Sequence, residues 1–309
     1  MPGTYPAPPP TLSGDLLTIN RLLQQPTAIR RRLRTFTDLR FVSDQILTQR
    51  FRSSGGAVLY EVSEPIVNAR PVESVSAGSS YPKDVPGTGT AAVAAVQKWG
   101  QAVDLTDEEI KRSVFAGDAL DRALRKVINS VIKQVDSITM SAIGSAITAS
   151  GNATAAWSNA TTATILRDIE LAKAAIIDLN QGYMPDTILL SSTKYAYMAS
   201  DPNIANLRRR ETTDNPVYTG KIDVIDDLTV VVAPVSSLPS DDVWVLDSTQ
   251  LGGMADEADV DPGYTVGDMA VQVGTSRLES RDAWELRGRR LTVSVVQEPG
   301  AGRKIANTS

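Results

Sequence analysis

One amphipathic segment restricts what this chain can fold into. Apolar side chains recur at helical spacing from Ile110 through Val114, Ala116, Leu120, Ala123, Leu124, Val127, Ile128, Val131, Val135 and Ile138 to Ile143. A helix over 107–143 would be about 55 Å long at 1.5 Å per residue. A compact globule of 309 residues is only about 50 Å across. Such a helix crosses the whole molecule, so the spacing predicts a flat or elongated subunit; a kink near Gly117 is the alternative. Its start is marked by Thr106-Asp107-Glu108-Glu109, in which Thr106 caps the amide of Glu109 and Glu109 returns the bond. Gly144 is the predicted stop.

The segments before this helix cannot fold alone. Residues 1–52 hold eight arginines and three acids, a local charge of +5 in a chain whose total is −5. Five prolines in residues 1–10 exclude helix and sheet centre there. A basic extended arm carrying Arg30, Arg31, Arg32 and Arg34, lying across an acidic surface, is the simplest reading. Residues 55–103 read as a long hairpin: a strand at 57–62, an extended piece at 67–75, a turn cluster at 78–89 and a return through 90–103. So much Ala, Gly and Ser buries little area, and the hairpin needs a neighbour to hold it.

After the helix the pattern is α+β. A linker is expected at 145–160, a helix near 164–180 ended by Gly182, a buried strand at 186–191, and a short helix capped by Thr193 and ending near Ser200. Strands follow at 228–233, 243–246, about 264–273 and 290–297. Between the last two, charged and apolar residues alternate, so one face there is solvated or at an interface. The last ten residues are polar and read as frayed.

Composition removes most chemistry. With no cysteine and no histidine, disulfides, iron–sulfur clusters, thiol catalysis and Ser-His-Asp triads are excluded. Ser191-Ser192-Thr193-Lys194 matches the Ser-x-x-Lys pair of serine acyl enzymes, but without the companion motifs it reads as chance. Asp226-Asp227 and Asp241-Asp242 read as solvated turn residues more readily than as a cation site. Asn152 and Asn159 head glycosylation-like triplets that read as chance. No catalytic, cofactor-binding or metal-ligating set is expected, and no run of 18 apolar residues could span a bilayer.

An arm, a weakly self-supporting hairpin, one very long helix and a compact α+β body together resemble the major capsid proteins of tailed double-stranded DNA bacteriophages, the HK97-like capsid fold. The resemblance assigns residues 1–54 to the N-terminal arm and 55–103 to the extended loop. It assigns 104–150 to the spine helix of the peripheral domain, 151–255 to the axial domain, and 256–309 to return strands and tail. It rests on Leu105-Thr106-Asp107-Glu108-Glu109-Ile110 opening the helix, on Pro185 to Tyr195 in the axial part, and on Arg289-Arg290-Leu291-Thr292-Val293-Ser294-Val295-Val296 as the return strand.

The resemblance implies a non-enzymatic subunit that self-assembles as pentamers and hexamers into an icosahedral shell around packaged DNA, in the virion, after assembly in the host cytoplasm. It implies a separate scaffolding protein, a portal and a cementing protein as partners, and no membrane. Arg30, Arg31, Arg32, Arg34, Tyr81, Lys83 and Trp99 are the expected inter-subunit contacts. Some relatives join a loop lysine to an asparagine of a neighbour. Lys83 offers the amine, but the only asparagine after Asn215 is Asn307, so no covalent network is expected. A bacterial nanocompartment shell of encapsulin type is the alternative; the long arm and hairpin favour the virus.

Overall fold

The computed structural model describes residues 40–112, 116–204, 222–257, 264–266 and 270–309. In chain order it contains helix α1 (Ser43–Ile46) and strands β1 (Gln49–Arg52), β2 (Ala57–Val62), β3 (Thr90–Ala95) and β4 (Gln97–Thr106). Helices α2 (Asp107–Arg112) and α3 (Ala116–Ala146) follow, then β5 (Ser150–Asn152), α4 (Ile165–Ile177), β6 (Thr187–Ser191) and α5 (Ser192–Ser200). The remainder is β7 (Val224–Ile225), β8 (Leu228–Ala233), β9 (Val243–Leu246), β10 (Gly252–Asp256), β11 (Thr265–Val266), β12 (Gln272–Leu278), β13 (Ala283–Val296) and β14 (Gly302–Ala306). The mixture is α+β, as the pattern predicts. Two compact units emerge, one of 97–134 with 256–292, the other of 41–96 with 135–255 and 293–309.

The first unit is an antiparallel sheet under a helix. β13 pairs with β12 on one side, from Gln272↔Arg289 to Leu278↔Ala283, and with β4 on the other, from Thr106↔Ala283 to Gln97↔Thr292. The apolar stripe of α3, Leu120, Leu124, Val127, Ile128 and Val131, is buried. Gly288 is required where helix meets strand, because a Cβ there would lie 2.5 Å from Val127. The capping box forms as read: Glu109 N donates to Thr106 Oγ1 at 3.2 Å, and Thr106 N to Glu109 Oε2 at 3.4 Å. Arg277 grips Asp107 with two bonds of 2.7 Å and holds its carboxyl below the usual range. Arg290 is fully buried, and its guanidinium meets both oxygens of Asp256 at 3.0 and 3.1 Å. A planar fork on a carboxylate is the geometry that compensates an arginine for lost water.

The second unit is built on a six-stranded sheet of order β5-β14-β9-β6-β8-β7. β6 is buried along its whole length and runs parallel to β8 after the α5 crossover. α4 packs on β14 and β9 with Ile165, Ile169, Ala172 and Ile176. Carboxylates fasten the loops to this body. Asp168 accepts from Thr154 N, Thr154 Oγ1 and Trp157 Nε1 at 3.0, 2.7 and 3.0 Å. Asp186 accepts from Ser248 N and Oγ, and Asp247 from the amides of Met184, Thr249 and Gln250. Asp136, buried in α3, reaches the start of α1: it accepts from Val42 N, Ser43 N and Ser43 Oγ at 3.1, 3.1 and 2.7 Å. The end of the expected arm is thereby docked, with Phe41, Ile46 and Leu47 almost wholly buried.

Several expectations are corrected. The last ten residues are not frayed: β14 pairs in parallel with β5 and antiparallel with β9, and Ile305 and Thr308 are buried. The backbone ladder, blind to side-chain polarity, orders them. The linker contains β5 and the buried Trp157. Gly144 does not stop α3, which runs on to Ala146; its missing side chain admits Pro239, whose Cγ would stand 2.8 Å from a Cβ. The expected helix is present at Asp107–Arg112 and Ala116–Ala146, with 113–115 outside the described residues. The charged stretch before 290 is strand, because β13 starts at Ala283 and is paired on both edges. Ser191, not Thr193, caps α5.

Two measurements test this account. Ile305→Ala, at a site only 3% exposed, should cost about 3 kcal/mol in a urea titration of the full chain. Burial raises the Asp136 carboxyl above its ordinary value of 3.8, its bonds to Ser43 and Val42 opposing this only in part. The folded state then holds this proton more tightly than the unfolded one. Its contribution is complete below the ordinary value and is lost as pH rises through the folded value. The wild type should therefore lose stability relative to Asp136→Asn as pH rises from about 4 to 7. A constant difference across that series would show a normally titrating carboxyl.

Candidate assembly surfaces

The segment that most lacks a core of its own is the hairpin of the second unit. β2 and β3 pair from Ala57↔Ala95 to Val62↔Thr90 and form a two-stranded sheet by themselves. Alternation along a strand sends every second side chain to the same face. Tyr60 and Val62 take the half-covered face, while Leu59 and its direct cross-strand partner Val93 take the open one. Leu59 is 74% exposed and Val93 67%. An isolated pair of strands is marginal in water, and here the face that would stabilise it is bare.

Beyond β2 the chain carries more exposed apolar groups: Ile66, Val67, Val72, Tyr81 and Val85. Polar bonds tie the base of this loop to the body. Ser63 N donates to Gln297 O at 2.9 Å, Glu64 N to Glu298 Oε1 at 3.2 Å, and Ile66 N to Gln181 Oε1 at 3.4 Å. At the tip Arg70 N donates to Asp84 Oδ2, and the Arg70 guanidinium holds Glu73. Arg70, Glu73, Tyr81 and Lys83, with the serines between them, line an open polar concavity of about 590 Å³.

The expected contact residues separate. Tyr81 and Lys83 lie exposed at the hairpin tip. Trp99 does not belong to the hairpin: it is half-buried in β4, opposite Arg290, in the first unit. Arg30, Arg31, Arg32 and Arg34 lie outside the described residues. Leu59 and Val93 were missing from the expected set although their strands were read; the alternation of Ala57, Leu59 and Glu61 carried the signal.

The motifs weighed as chemistry have structural roles. Ser191 Oγ accepts the Lys194 amide at 3.3 Å as a helix cap. Lys194 Nζ is buried, donates to Ser309 Oγ at 3.0 Å and faces Asp241 Oδ2 at 3.4 Å. Asp226 and Asp227 form the left-handed turn between β7 and β8, and Asp226 receives the Lys173 ammonium. Tyr183 donates to Glu298 at 2.7 Å, and burial followed by that carboxylate pushes its phenol well up.

An α+β body with a long helix, an extended hairpin and a bare apolar face defines a shell-forming capsid subunit of the HK97-like class. The chain belongs to the phage capsid protein family, whose model matches residues 89–305. It is similar in structure to a chain of Microbacterium phage Oxtober96, with 13% identity, a TM-score of 0.58, and 85% of this chain and 90% of that one covered. It is also similar to a phage-related protein from Bordetella bronchiseptica RB50, at 12% identity and TM-score 0.58 over 91% and 96% of the two chains. A virus-like particle from Pyrococcus furiosus matches at 11% identity and TM-score 0.57 over 90% and 96%. No curated protein matches by sequence. The fold and family place this chain among structural proteins of the virion capsid.

Replacing Leu59 and Val93 together by serine should leave the urea midpoint of the unassembled chain within about 0.5 kcal/mol of wild type, since neither is covered. The same variant should form fewer particles in light scattering. A large loss of monomer stability would mean that this chain covers both residues itself.

Proposed function

We propose that this chain self-associates as pentamers and hexamers into an icosahedral shell that encloses packaged double-stranded DNA. The observation that supports this most is the hairpin, whose open face presents Leu59 beside Val93, both largely exposed among the described residues. A surface of this kind gains its ordering free energy only when a second subunit lies on it. Closed symmetry is the ordinary outcome of such association. The tip, with Tyr81 and Lys83, then touches a neighbour, and Trp99 contributes from β4. Arg30, Arg31, Arg32 and Arg34 pair with acidic groups of an adjoining copy. A separate scaffolding protein, a portal and a cementing protein complete the particle, which is assembled in the host cytoplasm.

The subunit performs no catalysis in this role, and its contacts are non-covalent. Lys83 lies exposed among polar groups at the hairpin tip. Asn307 follows β14 in the second unit, exposed and left-handed. The likeness to the Pyrococcus furiosus virus-like particle supports a second reading, a nanocompartment shell that encloses protein cargo.

Electron microscopy of the expressed chain, with nuclease-protected nucleic acid quantified in the same particles, separates the readings. Closed shells with protected duplex DNA are expected from infected cells. Shells filled with protein would favour the compartment, and a chain that stayed monomeric with and without scaffold would overturn both. Particles boiled in denaturant should run as one band near 33.1 kDa; a ladder would reveal covalent joining.

A further inference from the structure

Helix α3 turns one side to its sheet and leaves another uncovered. Within the first unit its exposed ridge is Arg122, Lys126, Ser130 and Lys133, with the exposed Gln134 at its margin. At 100° per residue these four fall within about 80° of arc, opposite the buried Leu120, Leu124, Val127 and Val131. Among the described side chains of α3, none on this ridge is acidic: Asp121 is half-buried, and Asp136 is buried and bonded to Ser43. Among the described residues Lys126 and Lys133 meet no carboxylate within ion-pair distance. In a chain of net charge −5, two exposed ammonium groups on one helix face with no acid beside them among the described side chains are a local reversal of sign.

The ridge also lacks what a protein partner would need. None of the exposed large hydrophobic side chains lies on α3, whereas protein interfaces are centred on apolar and aromatic anchors. The ammonium groups of Lys126 and Lys133 suit phosphate oxygens, which need charge and donors but no apolar cover; the Ser130 hydroxyl is already committed, donating to Lys126 O at 2.8 Å. We propose that this ridge is a sequence-independent contact for the phosphate backbone of the enclosed duplex DNA; this rests on the shell reading above.

Magnitude decides how the contact works. From Arg122 to Lys133 the helix axis advances about 16 Å, alongside which a duplex carries about ten phosphate charges. Each neutralised phosphate adds about −0.9 to the slope of log affinity against log salt. The two lysines thus account for a slope of about −1.8, and they weaken binding roughly twelvefold between 50 and 200 mM salt. One subunit holds DNA loosely and reversibly, and a lining of many copies distributes that hold without trapping any single turn of duplex.

The test measures fluorescence anisotropy of a mixed-sequence duplex with the full chain held unassembled at low concentration. Lys126→Gln with Lys133→Gln should make the salt slope shallower by about 1.8, and Ser130→Lys should steepen it by about 0.9. All three substitutions are on exposed helix, so circular dichroism should be unchanged. Slopes equal to wild type in both variants would overturn the proposal. A double variant that loses poly-glutamate binding but keeps its DNA slope would also overturn it, by assigning the ridge to an acidic polypeptide. Failure of the wild type to form shells would instead overturn the shell reading, and the slopes would still measure the affinity of the ridge for duplex.

Discussion

Strand β14 gives both of its edges to neighbours, and the second unit depends on that. On one side Lys304, Ile305 and Ala306 meet Ser150, Gly151 and Asn152 in parallel; on the other, Gly302 to Ile305 meet Leu246 to Val243 antiparallel. Without β14, β5 would have no sheet to join, β9 would become an edge, and the apolar side of α4 would lose one of the two strands it covers. Local fit is tight: a Cβ at Gly302 would lie 2.5 Å from Ile147 and 2.8 Å from Leu246. A buried backbone group without a partner costs about as much as a lost hydrogen bond, so exposed edges are tolerated mainly where water or another chain reaches them.

A chain without cysteine must fasten distant segments by other means, and here carboxylates do it. Asp136, Asp168, Asp186 and Asp247 each accept two or more hydrogen bonds from a segment remote from their own backbone or from a turn they organise. Bonds to a carboxyl group can gather several donors at one side chain. They are also directional, so each fixes a loop in one place. In the first unit the Arg290–Asp256 fork does the same across two strands.

Periodicity made the local elements legible. The capping box at Thr106 and Glu109, the stripe on α3, and the apolar runs of β6, β8 and β9 were readable because their burial is set by near neighbours in sequence. β14 and β5 were not, because Gly-Arg-Lys-Ile-Ala and Ser-Gly-Asn owe their order to backbone pairing across the chain. The full length of β13 was hidden by its three arginines: Arg289 bonds Gln272 on β12, Arg290 bonds Asp256 on β10, and Arg287 pairs with Glu285 of its own strand. The hairpin strands could be read, but the nakedness of Leu59 and Val93 could not. Alternation shows which residues share a face; whether anything lies on that face is a property of the whole fold.

The hairpin also bears on the order in which the chain acquires its properties. Val62 and Thr90 are close in sequence, whereas Gly151 waits for Ile305 and Asp136 for Ser43. Loop closure favours the nearer contact, and long-range strand pairing is slow. The hairpin can thus form while the body beneath it is still open. During that interval two chains can meet through Leu59 and Val93 before either has a finished interior. Productive association and precipitation then compete as rates, and subunit concentration during synthesis sets which one prevails.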